Sequence, residues 1–203
     1  MPVQIGAKAE SDFTDPVGML RDCHRRIERF LGVLRTIAEE SDGGPLSAER
    51  RKALETSLRY FREGAPRHIQ DEEVSLFPRL RHQEGAEVAA ALAVVERLER
   101  DHCTVEAWHR ELDGLGTRWL REGALDAASI SRFRQLTQQL SQLYDEHIQV
   151  EDNEVFPLAA TNLPRSDLRT IGREMAERRG AIVPSALVSS AVESLRKSNP
   201  HDD

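Results

Sequence analysis

A chain of 203 residues that is 31% charged, 39% hydrophobic and only 5% aromatic has the balance of surface-rich amphipathic helices. A β-sandwich would carry more aromatic and β-branched residues. The length suits one domain with an extension, and a formal net charge of −7 without a basic block argues against nucleic acid as a partner. Cys23 and Cys103 are too few for a disulfide framework and lack a metal-binding spacing, which fits a reducing cytosol. The N-terminus has no basic region followed by an apolar run, and the longest uncharged run, Gly180 to Val192, is broken by Pro184. These features predict a soluble cytoplasmic protein with no membrane partner.

In chain order, residues 1–14 read as a flexible leader. Asp15-Pro16 then starts a first helix, with an N-cap followed by proline at the first helical position. Leu20, Ile27, Leu31, Leu34 and Ile37 form its apolar stripe, His24 falls on that stripe, and Ser41-Asp42-Gly43-Gly44-Pro45 ends it. Ser47 caps a second helix whose apolar face includes Leu54, Leu58, Phe61, Val74 and Phe77. Pro66 is expected to kink it, because proline cannot donate to the preceding turn, and Pro78 to distort its last turn before His82. A third helix from Ala86 carries Val95, Leu98, His102, Val105, Trp108 and Leu112, and Gly114 and Gly116 weaken its end. Asp126 caps a fourth, bearing Ile130, Phe133, Leu136, Leu140, Leu143, His147 and Val155. Four long helices with short connections predict an all-α, up-down-up-down four-helix bundle over residues 15–162. Residues 163–203 are a C-terminal extension, with a short extra helix that Ser166 could cap and Gly180 close, then a weakly amphipathic tail (Leu187, Val192, Leu195).

One stretch recurs. Arg67-His68-Ile69-Gln70-Asp71-Glu72-Glu73-Val74-Ser75-Leu76-Phe77-Pro78 returns as Glu146-His147-Ile148-Gln149-Val150-Glu151-Asp152-Asn153-Glu154-Val155-Phe156-Pro157. Each copy places a Glu four residues after a His, an offset of about 40° and about 6 Å on an α-helix, so both side chains leave one face. His24 with Glu28 and His102 with Glu106 repeat the spacing, which suggests a duplicated helical hairpin. Measured at 1.5 Å per residue from the ends of helices one and three and the starts of helices two and four, the four histidines lie at depths of roughly 24–31 Å. They can converge on one level.

Imidazoles and carboxylates from facing helices of a bundle describe a dinuclear site for iron, with manganese as a second choice. His24, His68, His102 and His147 are the expected terminal ligands, two per metal. Glu72 and Glu151 are the expected bridges, partly neutralising two cations that would otherwise repel. An oxide or hydroxide could be a third bridge, and zinc is a possible substitute.

The ligand order resembles that of the hemerythrin-like, HHE cation-binding family: a lone His on helix one, His-x3-Glu with a downstream Phe-Pro on helix two, His on helix three, and His-x3-Glu on helix four. The resemblance covers about residues 15–160. It implies a four-helix bundle with a non-haem di-iron centre that meets dioxygen, peroxide or nitric oxide. Oxygen-carrying members have His-x3-His on helix three, where this chain has Glu106, and His-x4-Asp on helix four. Here Glu151 stands at the shorter spacing and Asp152 at the longer. Glu151 is preferred because it matches Glu72 in the repeat, with Asp152 as the alternative. Glu106 is placed among the metal ligands, its alternative being to accept an imidazole N–H. One imidazole fewer favours Fe(III) and redox or peroxide chemistry over reversible oxygen carriage. Non-enzymatic oxygen or iron sensing or storage is the alternative function, and any electron-donor partner is unidentified.

Other polar residues read more plainly. Glu28 suits a solvated pair with Arg25 or Arg29. His109 reads as a packed histidine beside Trp108, with an additional metal ligand or a proton shuttle as the alternative. Tyr144 reads as a buried tyrosine. The two cysteines read as small interface hydrophobes. The two Phe-Pro pairs read as plugs that keep water from the metals, and His82 and His201 as bystanders.

Overall fold

A computed structural model describes residues 10–187, and every regular element within them is helical. The elements are α1 (Pro16–Ser41), α2 (Ala48–Gln70), a π-helical turn (Asp71–Leu76) running into α3 (Phe77–Leu80), α4 (Ala86–Glu122), α5 (Ala127–Val150), a second π-helical turn (Glu151–Val155) running into α6 (Phe156–Asn162), and α7 (Arg165–Arg178). A single 3₁₀ turn, Ser185–Leu187, follows. No described helix is long and apolar enough to cross a membrane. Residues 1–9 of the expected leader, the tail from Val188 onward and His201 lie outside the described residues.

The helix starts follow from side-chain chemistry. Asp15 accepts from the Gly18 N–H with Pro16 at the first position, Ser47 from Arg50 N–H, and Asp126 from Ser129 N–H. Each satisfies a donor that has no partner within its own helix. At α7 the expectation is corrected. Pro164 occupies the cap position and no side chain caps the helix, so Ser166 lies inside it. Helix α2 continues through Pro66, and α4 through both Gly114 and Gly116. A Cβ at Gly116 would lie 2.6 Å from Leu58 Cδ1, so its missing side chain is what lets α4 approach α2.

The four long helices pack in a ring, α1 on α2, α2 on α4, α4 on α5 and α5 back on α1. Their apolar core is split in two. One cluster holds Ile27, Leu34, Leu58, Val105, Leu112, Phe133 and Leu140; the other holds Leu20, Leu76, Phe77, Leu98, Val155 and Phe156. Going along the chain, α1 and α4 pass from the second cluster into the first, while α2 and α5 line the first and run through their π turns into the second. Where each helix crosses between clusters it carries one buried histidine: His24, His68, His102 or His147. A polar layer therefore divides two apolar ones.

Helix α7 lies against α1 and the first π turn. A Cβ on Gly172 would come within 1.9 Å of the Phe13 carbonyl oxygen, so only glycine lets the N-terminal segment cross α7 there. That segment is itself tied down, the Ser11 N–H donating to Asp22 Oδ2 at 2.5 Å.

Candidate metal centre

The two π turns sit on the two copies of the repeat and have the same backbone pattern. Asp71 N–H is shared between the carbonyls of Arg67 and His68, and Phe77 N–H reaches back five residues to Glu72. In the second copy Glu151 N–H is shared between His147 and Ile148, and Phe156 N–H reaches Glu151. The cause is the proline that follows each phenylalanine. In an α-helix a proline ring abuts the carbonyl four residues back and removes a donor. One extra residue in the turn relieves both problems, and such turns favour functional sites. The distortion expected from Pro78 thus falls before it rather than after it.

Consecutive side chains use the widened turn. Glu72 is fully buried at the centre, and its neighbour Glu73 accepts from His102 Nδ1 at 2.8 Å. Glu151 is equally buried, and its neighbour Asp152 accepts from His24 Nδ1 at 3.0 Å. Each half of the repeat therefore supplies one central carboxylate and one outer carboxylate that orients an imidazole of the other half. Of the two alternatives on α5 and its π turn, Glu151 reaches the centre and Asp152 stands behind His24.

The inward-facing atoms crowd together. Glu72 Oε1 lies 3.2 Å from His68 Nε2 and 3.9 Å from His24 Nε2, while Glu72 Oε2 lies 3.4 Å from His102 Nε2. Glu151 Oε2 lies 3.0 Å from His24 Nε2 and 3.3 Å from His147 Nε2. Two overlapping sets result, His24–His68–Glu72–Glu151 and Glu72–His102–His147–Glu151, and the ligand atoms within each set all lie within 4.8 Å of one another. Yet His24 Nε2 and all four carboxylate oxygens of Glu72 and Glu151 are buried without a hydrogen-bond partner. Close approach without alignment means that these lone pairs aim at shared points between them, not at each other. The Nε2 atoms of His102 and His147 face each other at 3.2 Å. With His102 Nδ1 donating to Glu73, its Nε2 offers a bare lone pair. The donor set fits two cations bridged by two carboxylates.

The charge balance agrees. Burial pushes the Glu72 carboxyl well above its ordinary range, and the Glu151 charge raises it further. Burial alone would lower the His24 imidazole, but the hydrogen bond to Asp152 and the close carboxylates of Glu151 and Glu72 raise it to about 10. His68 goes the other way, pushed well below its ordinary value by burial and then by the positive charge of His24.

Phe77 and Phe156 do more than plug an end. Phe156 stacks on His24 (centroids 5.2 Å, planes 13° apart) and Phe77 lies parallel to His102 at 6.5 Å. Each ring covers an imidazole of the other half of the repeat and so excludes water from the centre. The imidazoles differ in support. Neither His68 Nδ1 nor His147 Nδ1 has a hydrogen-bond partner, although Asp101 Oδ2 stands 3.6 Å from the latter.

Glu106 does not join this centre. It is exposed on α4, as Glu28 is on α1. Neither helix carries the widened turn that swings Glu72 and Glu151 inward, and neither has a Phe-Pro pair to cause one. A regular i,i+4 offset leaves both carboxylates on the solvent side of their histidines. Only two of the four His-x3-Glu copies precede Phe-Pro, and the widened turn occurs at those two alone among the described residues.

A profile of the hemerythrin HHE cation binding domain matches residues 15–159. This chain belongs to the hemerythrin HHE family. An uncharacterized protein of Haemophilus influenzae is similar to it, 26% identical over 168 residues that span 82% of this chain and 91% of the relative. The matched stretch of the HHE chain contains all six convergent residues, both π turns and both outer carboxylates, and it ends before α7.

The outer carboxylates give a first prediction. Asp152→Ala and Glu73→Ala each leave an imidazole of the HHE site unoriented, and each should weaken metal affinity by about 10–100-fold. Competition with a chromophoric chelator measures this. Unchanged affinity in both variants would separate these carboxylates from metal binding.

Tyr144 and His109 adjoin the centre without entering it. Tyr144 is buried, its ring edge-on to His147 at 6.3 Å, and its hydroxyl lies 3.0 Å from His109 Nε2. His109 stacks on Phe61 at 4.5 Å, and burial lowers its pKa to about 4. Because the folded value lies below the unfolded one, His109 contributes stability that is complete above pH about 6.5. That contribution falls as pH drops from there towards about 4. An imidazole C–H titration by NMR with a midpoint near that of free histidine would contradict the assignment.

Of the cysteines, Cys23 is buried as expected, whereas Cys103 is exposed.

Proposed function

We propose that the chain, as an up-down-up-down bundle in the cytoplasm, holds two iron ions between Glu72 and Glu151 and uses them on small oxidants: peroxide, nitric oxide or dioxygen. His24 and His68 would hold one ion, and His102 and His147 the other. The single observation that carries this reading is the set of buried, unpartnered carboxylate oxygens lying between two pairs of imidazole Nε2 atoms. Iron held there supplies one-electron redox change and a coordination position for a small ligand. The chain's residues supply the rest. Glu73 and Asp152 keep the Nδ1 protons of His102 and His24 in place, so that Nε2 stays a lone-pair donor. Phe77 and Phe156 exclude water. Four imidazoles and two carboxylates, without Glu106, form a mixed nitrogen–oxygen set that manganese or zinc would also accept.

Elemental analysis of protein prepared with limiting iron, manganese and zinc tests the metal reading. About two ions per chain with iron preferred is the expected result, and a metal-free protein that stays monodisperse and fully folded would sink it. Turnover of hydrogen peroxide and of nitric oxide by the iron-loaded chain then tests the activity. Loading with no turnover of either would point instead to sensing or storage.

A further inference from the structure

A second polar cavity lies outside the metal centre. About 400 Å³ of space opens between α1 and α2 beside the end of α7, walled by Arg26, Arg59, Tyr60, Glu63, Arg67 and Arg179. In a chain of net charge −7, four guanidiniums face one carboxylate here. Arg179 is engaged, its guanidinium 2.5 Å from Asp71 Oδ2. Arg26 spends its Nε on the Asp22 carbonyl at 3.1 Å, and the nearest outside carboxylate, Glu10, stands 4.0 Å away. Arg59 and Arg67, two turns apart on α2, form no ion pair among the described residues. Three guanidiniums thus line one concavity beside a single carboxylate, Glu63, and their terminal N–H groups have no hydrogen-bond partner among the described residues. Like charges so gathered raise the local concentration of anions.

The floor is fixed. Tyr60 donates to the Cys23 carbonyl at 3.2 Å and its ring stacks on Phe30 at 4.6 Å. Gly64 lets the ring lie where it does, since a Cβ there would come within 2.8 Å of it. The volume is in the range of small-molecule sites, about 300–1,000 Å³, and far above the roughly 30 Å³ share of a water. A bare inorganic ion would leave most of it unfilled. Guanidinium forks match the paired oxygens of phosphate and carboxylate.

We propose that this cavity binds a small organic molecule bearing a multivalent oxyanion, a phosphate ester or a polycarboxylate, through Arg26, Arg59 and Arg67. The site goes beyond the metal reading and does not depend on it.

Calorimetric titration of the metal-free and the metal-loaded chain at low salt tests it, with phenyl phosphate, citrate and, as a neutral control, phenol. Saturable binding of either anion in both forms, weakening with added salt, is expected, with none for phenol. Phenyl phosphate alone would identify an ester as the class and citrate alone a polycarboxylate; binding of both supports the shared chemistry. The double variant Arg59→Ala/Arg67→Ala should lose about a hundredfold in affinity, at about 1.4 kcal/mol for each tenfold step. Both positions are exposed on a helix that alanine favours, so circular dichroism should be unchanged. The remote pair Arg35→Ala/Arg51→Ala should bind as the parent does. The proposal is overturned if neither anion binds, if phenol binds as tightly, or if the double variant retains the parent's affinity.

Discussion

Glu72→Gln is expected to strip metal from both halves of the centre and to leave the metal-free protein at least as stable as the parent. Glu72 presents Oε1 to His68 at 3.2 Å and Oε2 to His102 at 3.4 Å, one oxygen to each half. An amide cannot bridge two cations with two anionic oxygens. Loss of an outer partner costs about 10–100-fold in affinity, so losing this central group should exceed a hundredfold. The metal-free side of the prediction follows from burial. Glu72 is fully buried, neither oxygen has a hydrogen-bond partner, and its carboxyl is held well above the ordinary range by burial and by Glu151. A carboxyl so placed is costly to ionise, and a neutral amide of the same shape has no charge to bury. Metal content after dialysis and thermal melts with and without metal measure both halves. A variant that keeps the parent's metal content would refute the bridging role; one that loses metal and is also destabilised when metal-free would mean that the carboxylate serves the fold instead.

The second large effect concerns α7, whose docking turns on one buried carboxylate. Asp71, the first residue of the π turn and fully buried, pairs with both Arg178 and Arg179. Arg178 also reaches the Ser75 hydroxyl, and Arg79 grips Glu174 through two bonds of 2.7 and 3.1 Å. Removing both arginines, Arg178→Ala/Arg179→Ala, strands a buried charge, which costs about 3–5 kcal/mol. At about 2–4 °C per kcal/mol for a chain of this size, Tm should fall by about 6–20 °C. Asp71→Ala should cost less, because the arginine side chains are 16% and 19% exposed and can turn to water. That ordering is the test, read from chemical denaturation of all three proteins. An Asp71→Ala variant less stable than the double arginine variant would overturn it. Because Asp71 adjoins Glu72, the arginine variant should also bind metal more weakly than the parent.

Helix identity was readable because capping and periodicity are local. Asp15-Pro16, Ser47 and Asp126 mark starts that the structure reproduces within a residue. The four histidines could be assigned to one level because rise per residue is constant and the connections are short. Pattern reasoning failed where one-dimensional spacing had to stand for direction. Four copies of His-x3-Glu look alike on a helical wheel, yet Glu72 and Glu151 reach the centre while Glu28 and Glu106 face water. The extension beyond residue 163 read as a short helix and tail with no sign of what it docks on, because Arg178, Arg179 and Glu174 are ordinary surface charges until Asp71, Ser75 and Arg79 meet them.

The sequence by itself determined the helices, the histidine on each inward stripe and the doubled motif, since all of these depend on contacts within a few residues. Only the tertiary structure decided which carboxylates turn inward, which ones orient an imidazole from the opposite half, and what α7 holds. Those outcomes depend on a backbone turn widened by proline and on charges that become partners across 100 or so residues of chain, where burial rather than spacing sets the energy.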